Sequence, residues 1–490
     1  MTQPSGRPTK LRSSLAVVFL NRYAVVAVNF ISTMILARLV APAETGLFSV
    51  AASVVLLAQA IRDFGVGEFL IQEKGLTSHK IRTAFGLTLM LAWTLGLLIF
   101  LIRGWIATFY GAPALSDLIA IVCGSFFVAP FSSTVLAILN REMAFGILLR
   151  ISVASALANA VVSIYLAYRG WGAMALTCGM LAMNITTAIA ATIAAPSRDH
   201  FIPSMREWRA LASFGAYVSS ANIINQLTGR LPDLIIGRLL GFQPLGLYNR
   251  SSGLVIIFHE LVVAGVQTVA FPAFAAAYRQ GENVREPYLR AVTLITVAAF
   301  PVLALVAIFA EPLIWILLGP QWHAASTLIP PLALSYAVTL IAPMVTPYLS
   351  ATGWVRMIPR IAAVVQLAQL LIITVTAHFS IMWVAIGNVG YGLLYMAINA
   401  YYLRKTTGIG PSELFLAIGK SVSVTILCTI PALFVANLLG RADQPFLTLT
   451  ASLATGGIAW CIAVVLLRHP IVKELLLLLH EVRRSVHRAA

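Results

Sequence analysis

Apolar residues run along this chain in blocks of roughly twenty, separated by short polar stretches. A hydrocarbon core about 30 Å thick needs a helix of about that length to cross it. The blocks begin near Leu15, Gly46, Thr83, Leu115, Leu149, Gly172, Leu211, Gly246, Leu289, Ser326, Ile358, Ile381, Leu414 and Phe446. This pattern predicts an all-α polytopic membrane protein with about 14 transmembrane helices. No polar stretch is long enough to fold alone. After Pro470, Leu475 to Leu479 precede Arg483, Arg484 and Arg488. That order predicts an amphipathic helix lying on the anionic cytoplasmic leaflet.

The N-terminus places Arg7, Lys10 and Arg12 before an apolar run, as a signal peptide does. The run from Leu15 to Val40 is longer than a signal core, and no small-x-small cleavage site ends it. It reads as an uncleaved first membrane helix.

Composition agrees. Of 490 residues, 60% are hydrophobic and 10% charged, whereas soluble domains carry about a quarter charged residues. The net charge of +16 raises nucleic acid as a partner. The basic residues sit at helix ends and form no basic face, so that class is excluded. Cys123, Cys178, Cys428 and Cys461 lie inside apolar blocks without a C-x-x-C pair. They read as small buried hydrophobes, and neither a disulfide framework nor a metal site is expected.

Charge distribution sets orientation, because cytoplasmic loops carry the excess of Lys and Arg. With a cytoplasmic N-terminus, the inner loops hold Lys74, Lys80 and Arg82, then Arg141 and Arg150, then Arg198, Arg206 and Arg209. Arg279, Arg285, Arg290, Arg356, Arg360, Arg404 and Lys405 continue the series, and the tail adds five more. The outer ends hold Arg38, Arg103, Arg169, Arg238 and Arg441. One missed helix would invert every later loop, so the bias predicts an even helix count with both termini cytoplasmic. Trp315, Trp322, Trp383, Tyr401 and Tyr402 suit interfacial belts.

Two stretches resemble each other at a separation of 200 residues: ILARLVAPAETGLF from Ile35 and IIGRLLGFQPLGLY from Ile235. Arg38 matches Arg238, and Gly46-Leu47-Phe48 matches Gly246-Leu247-Tyr248. A weaker match sets Ala129-Pro130 against Ala342-Pro343. The expected organisation is a cytoplasmic segment 1–14, a six-helix lobe 15–196, a second six-helix lobe 211–404, two extra helices over 414–468 and a tail 471–490. Parallel repeats of this kind predict alternating access around a site between the lobes.

Further residues extend the pattern. Pro42 and Glu44 lie in the first repeat, followed by Asp63-Phe64-Gly65-Val66-Gly67. The second lobe has Arg230, Asp233, Asn249-Arg250, Phe271-Pro272-Ala273-Phe274, Leu318-Gly319-Pro320-Gln321-Trp322 and Ser350-Ala351-Thr352-Gly353. Over roughly Ser14 to Leu403 the chain resembles the polysaccharide-transport branch of the multidrug/oligosaccharidyl-lipid/polysaccharide exporter superfamily. That resemblance implies a flippase moving undecaprenyl-pyrophosphate-linked oligosaccharide from the cytoplasmic to the periplasmic leaflet of the inner membrane. The product would be exopolysaccharide, O-antigen or capsule. Expected partners are the lipid-linked oligosaccharide, membrane lipids, a polysaccharide polymerase and a chain-length regulator, with no cofactor.

Flipping such a lipid needs a cationic, water-filled path for pyrophosphate. Arg suits it because the planar guanidinium grips phosphate oxygens in pairs. Charges within spans are costly and therefore candidates for function. The substrate-binding candidates are Arg22, Arg62, Arg230 and Arg250, with Asn29, Asn222, Asn225 and Gln226 for sugar hydroxyls. Candidates for ion coupling are Glu260 with His259, Asp63 and Asp233. Structural alternatives stand beside them: local pairing of Arg62 with Asp63, an i,i+3 pair of Arg230 with Asp233, snorkelling of Arg250, and hydrogen-bonded filler at His259-Glu260. No H-E-x-x-H, Walker or G-x-S-x-G pattern is present. Two alternatives compete. A drug exporter of the same fold expects acidic cation sites, and a membrane polymerase or ligase expects a long outer loop.

Overall fold

The structure, a computed structural model, describes residues 24–195, 197–206, 208–280, 283–439 and 445–472. Within these, the side chains of 198–199, 210, 212–214, 216–225, 228 and 260–273 lie outside the description. Every long element among these residues is a helix. Among the described residues, nine helices are long and apolar enough to cross a membrane, or ten if one bent pair counts as a span. The protein is a multi-pass, all-α membrane protein.

The chain forms two compact units, Met1–Gly246 and Leu247–Ala490. The first contains α1 (Ala24–Leu39), α2 (Pro42–Asp63), α3 (Val66–Gln72), α4 (Ser78–Tyr110), α5 (Ala114–Val128), α6 (Pro130–Arg141), α7 (Phe145–Tyr168), α8 (Ala173–Ala194) and α9 (Trp208–Leu239). Helix α10 (Phe242–Arg279) begins in the first unit and continues in the second. The helices α11 (Arg285–Ile308), α12 (Ala310–Leu317), α13 (His323–Ser326), α14 (Ile329–Thr339) and α15 (Val345–Ala351) follow. The last four are α16 (Ile358–Thr376), α17 (Ile381–Thr407), α18 (Pro411–Leu438) and α19 (Pro445–Leu466).

Local chemistry sets the ends of these helices. Pro42 opens α2 at its first position, where a missing N–H costs nothing. Glu44 accepts a hydrogen bond from the Ala41 N–H at 3.0 Å and satisfies a donor the helix leaves open. The helix stops at Phe64 and Gly65, both left-handed, with φ of 37° and 61°. The Asp63-Phe64-Gly65 motif is thus a helix break. Arg141 then donates to the Leu70 carbonyl at 2.7 Å, capping α3 with a cation at its negative end.

Lipid-facing helices have no hydrophobic drive toward one another, so they associate by close packing and interhelical hydrogen bonds. In the first unit, the C-terminal half of α9 lies on α2. A Cβ on Gly237 would meet Val50 at 2.6 Å, and Ser53 donates to Asp233 at 2.9 Å. The repeat assigns α9 to the second lobe; its contacts with α2 fall within the first unit. In the second unit, Thr296 donates to Ser421 at 2.9 Å and Trp460 to the Val297 carbonyl at 2.9 Å. These bonds and a core of Val297, Val424, Cys428, Ala463 and Val464 fasten α18 and α19 to α11.

Two expectations need adjustment. The block beginning near Ser326 is not one helix: α14 stops at Thr339, Pro343 sits in the gap, and α15 begins at Val345. Its counterpart in the first unit is α5 with α6, bent by 51° at Ala129-Pro130. The weak proline match therefore falls at a helix break in both stretches. Cys178 is half-buried and Cys461 exposed rather than buried, the latter on a helix whose outer side is made of exposed Ile458, Ile462 and Val465. The tail beyond Val472 lies outside the described residues.

Candidate functional site

In the first unit, the charges on α2 are compensated nearby. Arg62 is 8% exposed, and its Nε donates to Asp63 Oδ1 at 2.9 Å. The pair sits in the last turn of α2, where a cation also offsets the helix dipole. Asp233 accepts from Ser53, and Arg230, one turn before it, is half-buried. Asn29 on α1 and Gln226 on α9 are exposed. Amides exposed within a span need water or a ligand around them. Arg22 lies outside the described residues, as do the side chains of Asn222, Asn225 and Glu260.

In the second unit, Arg250 lies eight residues after the start of α10, about 12 Å along its axis. Its guanidinium carbon stands 5.6 Å from the ring centre of Trp322. The Nε of Arg250 is buried without a hydrogen-bond partner. Buried donors are nearly always satisfied, so this one is open to a water or a ligand. Trp322 was expected at an interface but is fully buried. Gly319, at φ 101°, turns the Leu318-Gly319-Pro320 segment so that the short turn after it carries Trp322 into the core. Ser251, next to Arg250, donates to the Ala325 carbonyl at 2.7 Å and ties α10 to α13.

His259 lies on a different face of α10 and lines a cavity of about 300 Å³. Its ring centre is 5.0 Å from that of Tyr336 on α14. Asn388 on α17 also faces the cavity; its Nδ2 donates to the Val384 carbonyl at 2.8 Å and to the Tyr248 hydroxyl at 3.3 Å. Of the lining residues, the sequence marks His259 as a candidate for chemistry and Tyr248 and Pro343 only as repeat positions. The available signal was helical spacing: Tyr248, Ser252 and His259 on α10, Ser335, Tyr336 and Thr339 on α14, and Asn388, Tyr391 and Tyr395 on α17.

Comparison with known proteins agrees with this architecture. The family model described as polysaccharide biosynthesis protein matches residues 35–327. The chain is 23% identical to the succinoglycan biosynthesis transport protein ExoT of Rhizobium meliloti (strain 1021), over 93% of each chain. It is 24% identical to the lipopolysaccharide biosynthesis protein WzxC of Escherichia coli (strain K12), over 66% of this chain and 65% of that one. Among solved structures, the lipid II flippase MurJ in an inward closed conformation superposes with a TM-score of 0.75. That match has 14% identity and covers 94% of this chain and 99% of MurJ. A multidrug resistance MATE family transporter of the MOP superfamily, in its inward-facing conformation, gives 0.66 at 15% identity, covering 79% of this chain and 94% of that one. The fold is that of these transporters, and the chain belongs to the polysaccharide biosynthesis protein family.

Proposed function

We propose that the protein is a flippase that carries undecaprenyl-pyrophosphate-linked oligosaccharide across the inner membrane for assembly of an exported polysaccharide. The observation that carries this reading is Arg250, a cation within a membrane span whose Nε is buried and unsatisfied beside a buried tryptophan. Charge at that depth must be compensated, and a pyrophosphate supplies paired oxygens to a guanidinium. Family membership and the transport function in the name of ExoT support the same reading.

In this account Arg22 and Arg230 join Arg250 in binding pyrophosphate, and Asn29, Asn222, Asn225 and Gln226 meet sugar hydroxyls. Arg62, engaged by Asp63, serves chiefly to shape the end of α2. Glu260 with His259 takes up the coupling ion. Both termini are cytoplasmic, and a polymerase and a chain-length regulator act on the delivered product. Drug export is the weaker reading, because the likeness to the MATE transporter is one of fold.

The test is complementation of a deletion strain. The wild-type gene restores polysaccharide export, whereas Arg250→Ala at normal membrane abundance lowers it at least about tenfold, since charge-assisted hydrogen bonds contribute about 1.5–3 kcal/mol. Arg250→Lys restores part of it, because Lys keeps the charge and loses the planar fork. Full export by a stably inserted Arg250→Ala protein contradicts the reading.

A further inference from the structure

We infer that the polar cavity inside the second unit is a saccharide subsite, selecting the sugar portion of the cargo; this rests on the flippase reading above. The cavity holds about 300 Å³, at the lower end of the roughly 300–1,000 Å³ typical of small-molecule sites. Its walls are contributed by four helices, α10, α14, α16 and α17. On three of them the lining residues recur at helical spacing, so each helix turns one stripe inward.

The chemistry of those stripes is specific. Tyr248, Tyr336, Tyr391 and Tyr395 supply aromatic surface with a hydroxyl at its edge. Gln369, Asn388, Ser252 and Thr339 supply amides and hydroxyls. As a class these groups donate and accept hydrogen bonds; Ser252, Thr339 and Asn388 already donate to Asn249, Tyr336, and Val384 with Tyr248, which leaves their oxygens to accept from a ligand. That is the complement of a pyranose, whose hydroxyls also do both and whose C–H faces lie flat on aromatic rings. The described lining holds one titratable residue other than tyrosine, His259, and no Asp, Glu, Lys or Arg. A polyanion such as a pyrophosphate would meet a single imidazole, at a large cost, and a hard cation would lack carboxylates among these residues. A neutral, hydroxyl-rich ligand meets no such penalty.

The backbone points the same way. The gap between α14 and α15, two helices too short to cross a membrane alone, leaves residues 340–344 outside helix, and Thr339, Leu340 and Pro343 at that gap line the cavity. Irregular backbone at membrane depth persists where it is buried in protein or lines a polar cavity, and broken helices recur at transporter binding sites. Asn388 is held in place by its bonds to Val384 and Tyr248, which orients an amide toward the cavity before any ligand arrives.

The test uses purified full-length protein in lipid nanodiscs and two probes. One is undecaprenyl pyrophosphate. The other is the undecaprenyl-pyrophosphate-linked glycan extracted from cells that express the protein natively. The wild type binds the glycan-bearing lipid more tightly than the bare one. Gln369→Leu and Tyr391→Ala weaken binding of the glycan-bearing lipid about tenfold, the loss expected for one to two hydrogen bonds, and leave the bare lipid unchanged. Tyr391→Phe and Thr339→Val remove only a hydroxyl and replace the larger changes if those fail to fold; each weakens the glycan-bearing lipid several-fold. Variants that bind both probes as the wild type does, or lose both alike, overturn the saccharide assignment, as does a wild type that does not distinguish the probes. A wild type that binds neither probe overturns the flippase reading itself.

Discussion

Gly46 and Gly246, matched positions of the two repeats, pack against one another's helix starts. A Cβ on Gly246 would stand 2.0 Å from the Pro42 carbonyl oxygen and 3.2 Å from the Gly46 nitrogen. A Cβ on Gly46 would stand 1.8 Å from the Phe242 carbonyl oxygen. Each glycine lies four residues after the start of its helix, at Pro42 and Phe242, so the same turn of each repeat serves as the other's seat. The obstruction is backbone, which cannot swing aside as a side chain can.

Alanine at either position therefore forces the two helix starts apart. Overpacking of this kind costs about 1–3 kcal/mol. Gly46→Ala and Gly246→Ala are expected to lower the melting temperature of the detergent-purified protein. Gly253→Ala, further along α10 where a Cβ meets nothing within 4 Å, is expected to be neutral or stabilising by up to about 1 kcal/mol. Equal melting temperatures for all three would contradict the packing.

Acid stability should depend on His469, which lies beyond α19. Its Nδ1 accepts the Ile471 N–H at 3.3 Å, and its Nε2 is buried without a partner. Burial, with a smaller contribution from Lys420, pushes its pKa down to about 4. A folded pKa below the ordinary value of about 6.5 means that the unfolded chain binds the proton more readily. Stability is thus expected to fall as pH drops from about 6.5 toward 4. His469→Gln keeps an acceptor and removes the titration, so it should flatten this part of the melting profile; an unchanged slope would contradict the assignment.

Topology follows from the loop charges. Reporter fusions after Lys74, Arg206 and Arg285, and at the C-terminus, are expected to report the cytoplasm. A periplasmic C-terminus would contradict the even helix count.

The membrane class was legible because lipid solvation demands long apolar blocks whatever the tertiary structure. The Arg62–Asp63 pair was legible too, since neighbours in sequence at a helix end can meet. The mutual seating of Gly46 and Gly246 was visible only as a repeat, because sequence similarity does not say that the two copies touch. Trp322 was misassigned to an interface because nothing in Leu318-Gly319-Pro320 displays the torsion at Gly319 that drives the ring inward. The polar cavity is not legible in the sequence for a different reason. Each helix contributes a few weak polar residues within an apolar span, and their meaning arises only when four helices converge.

Leaflet exchange tests the central claim most directly. Proteoliposomes containing the purified protein and the undecaprenyl-pyrophosphate-linked glycan are treated with a membrane-impermeant glycosidase. The protein is expected to render the inner-leaflet glycan accessible within the assay, and Arg250→Ala to leave that pool protected as in protein-free liposomes. Protection of the inner-leaflet glycan in the presence of folded wild-type protein, under both imposed and collapsed ion gradients, would contradict the account.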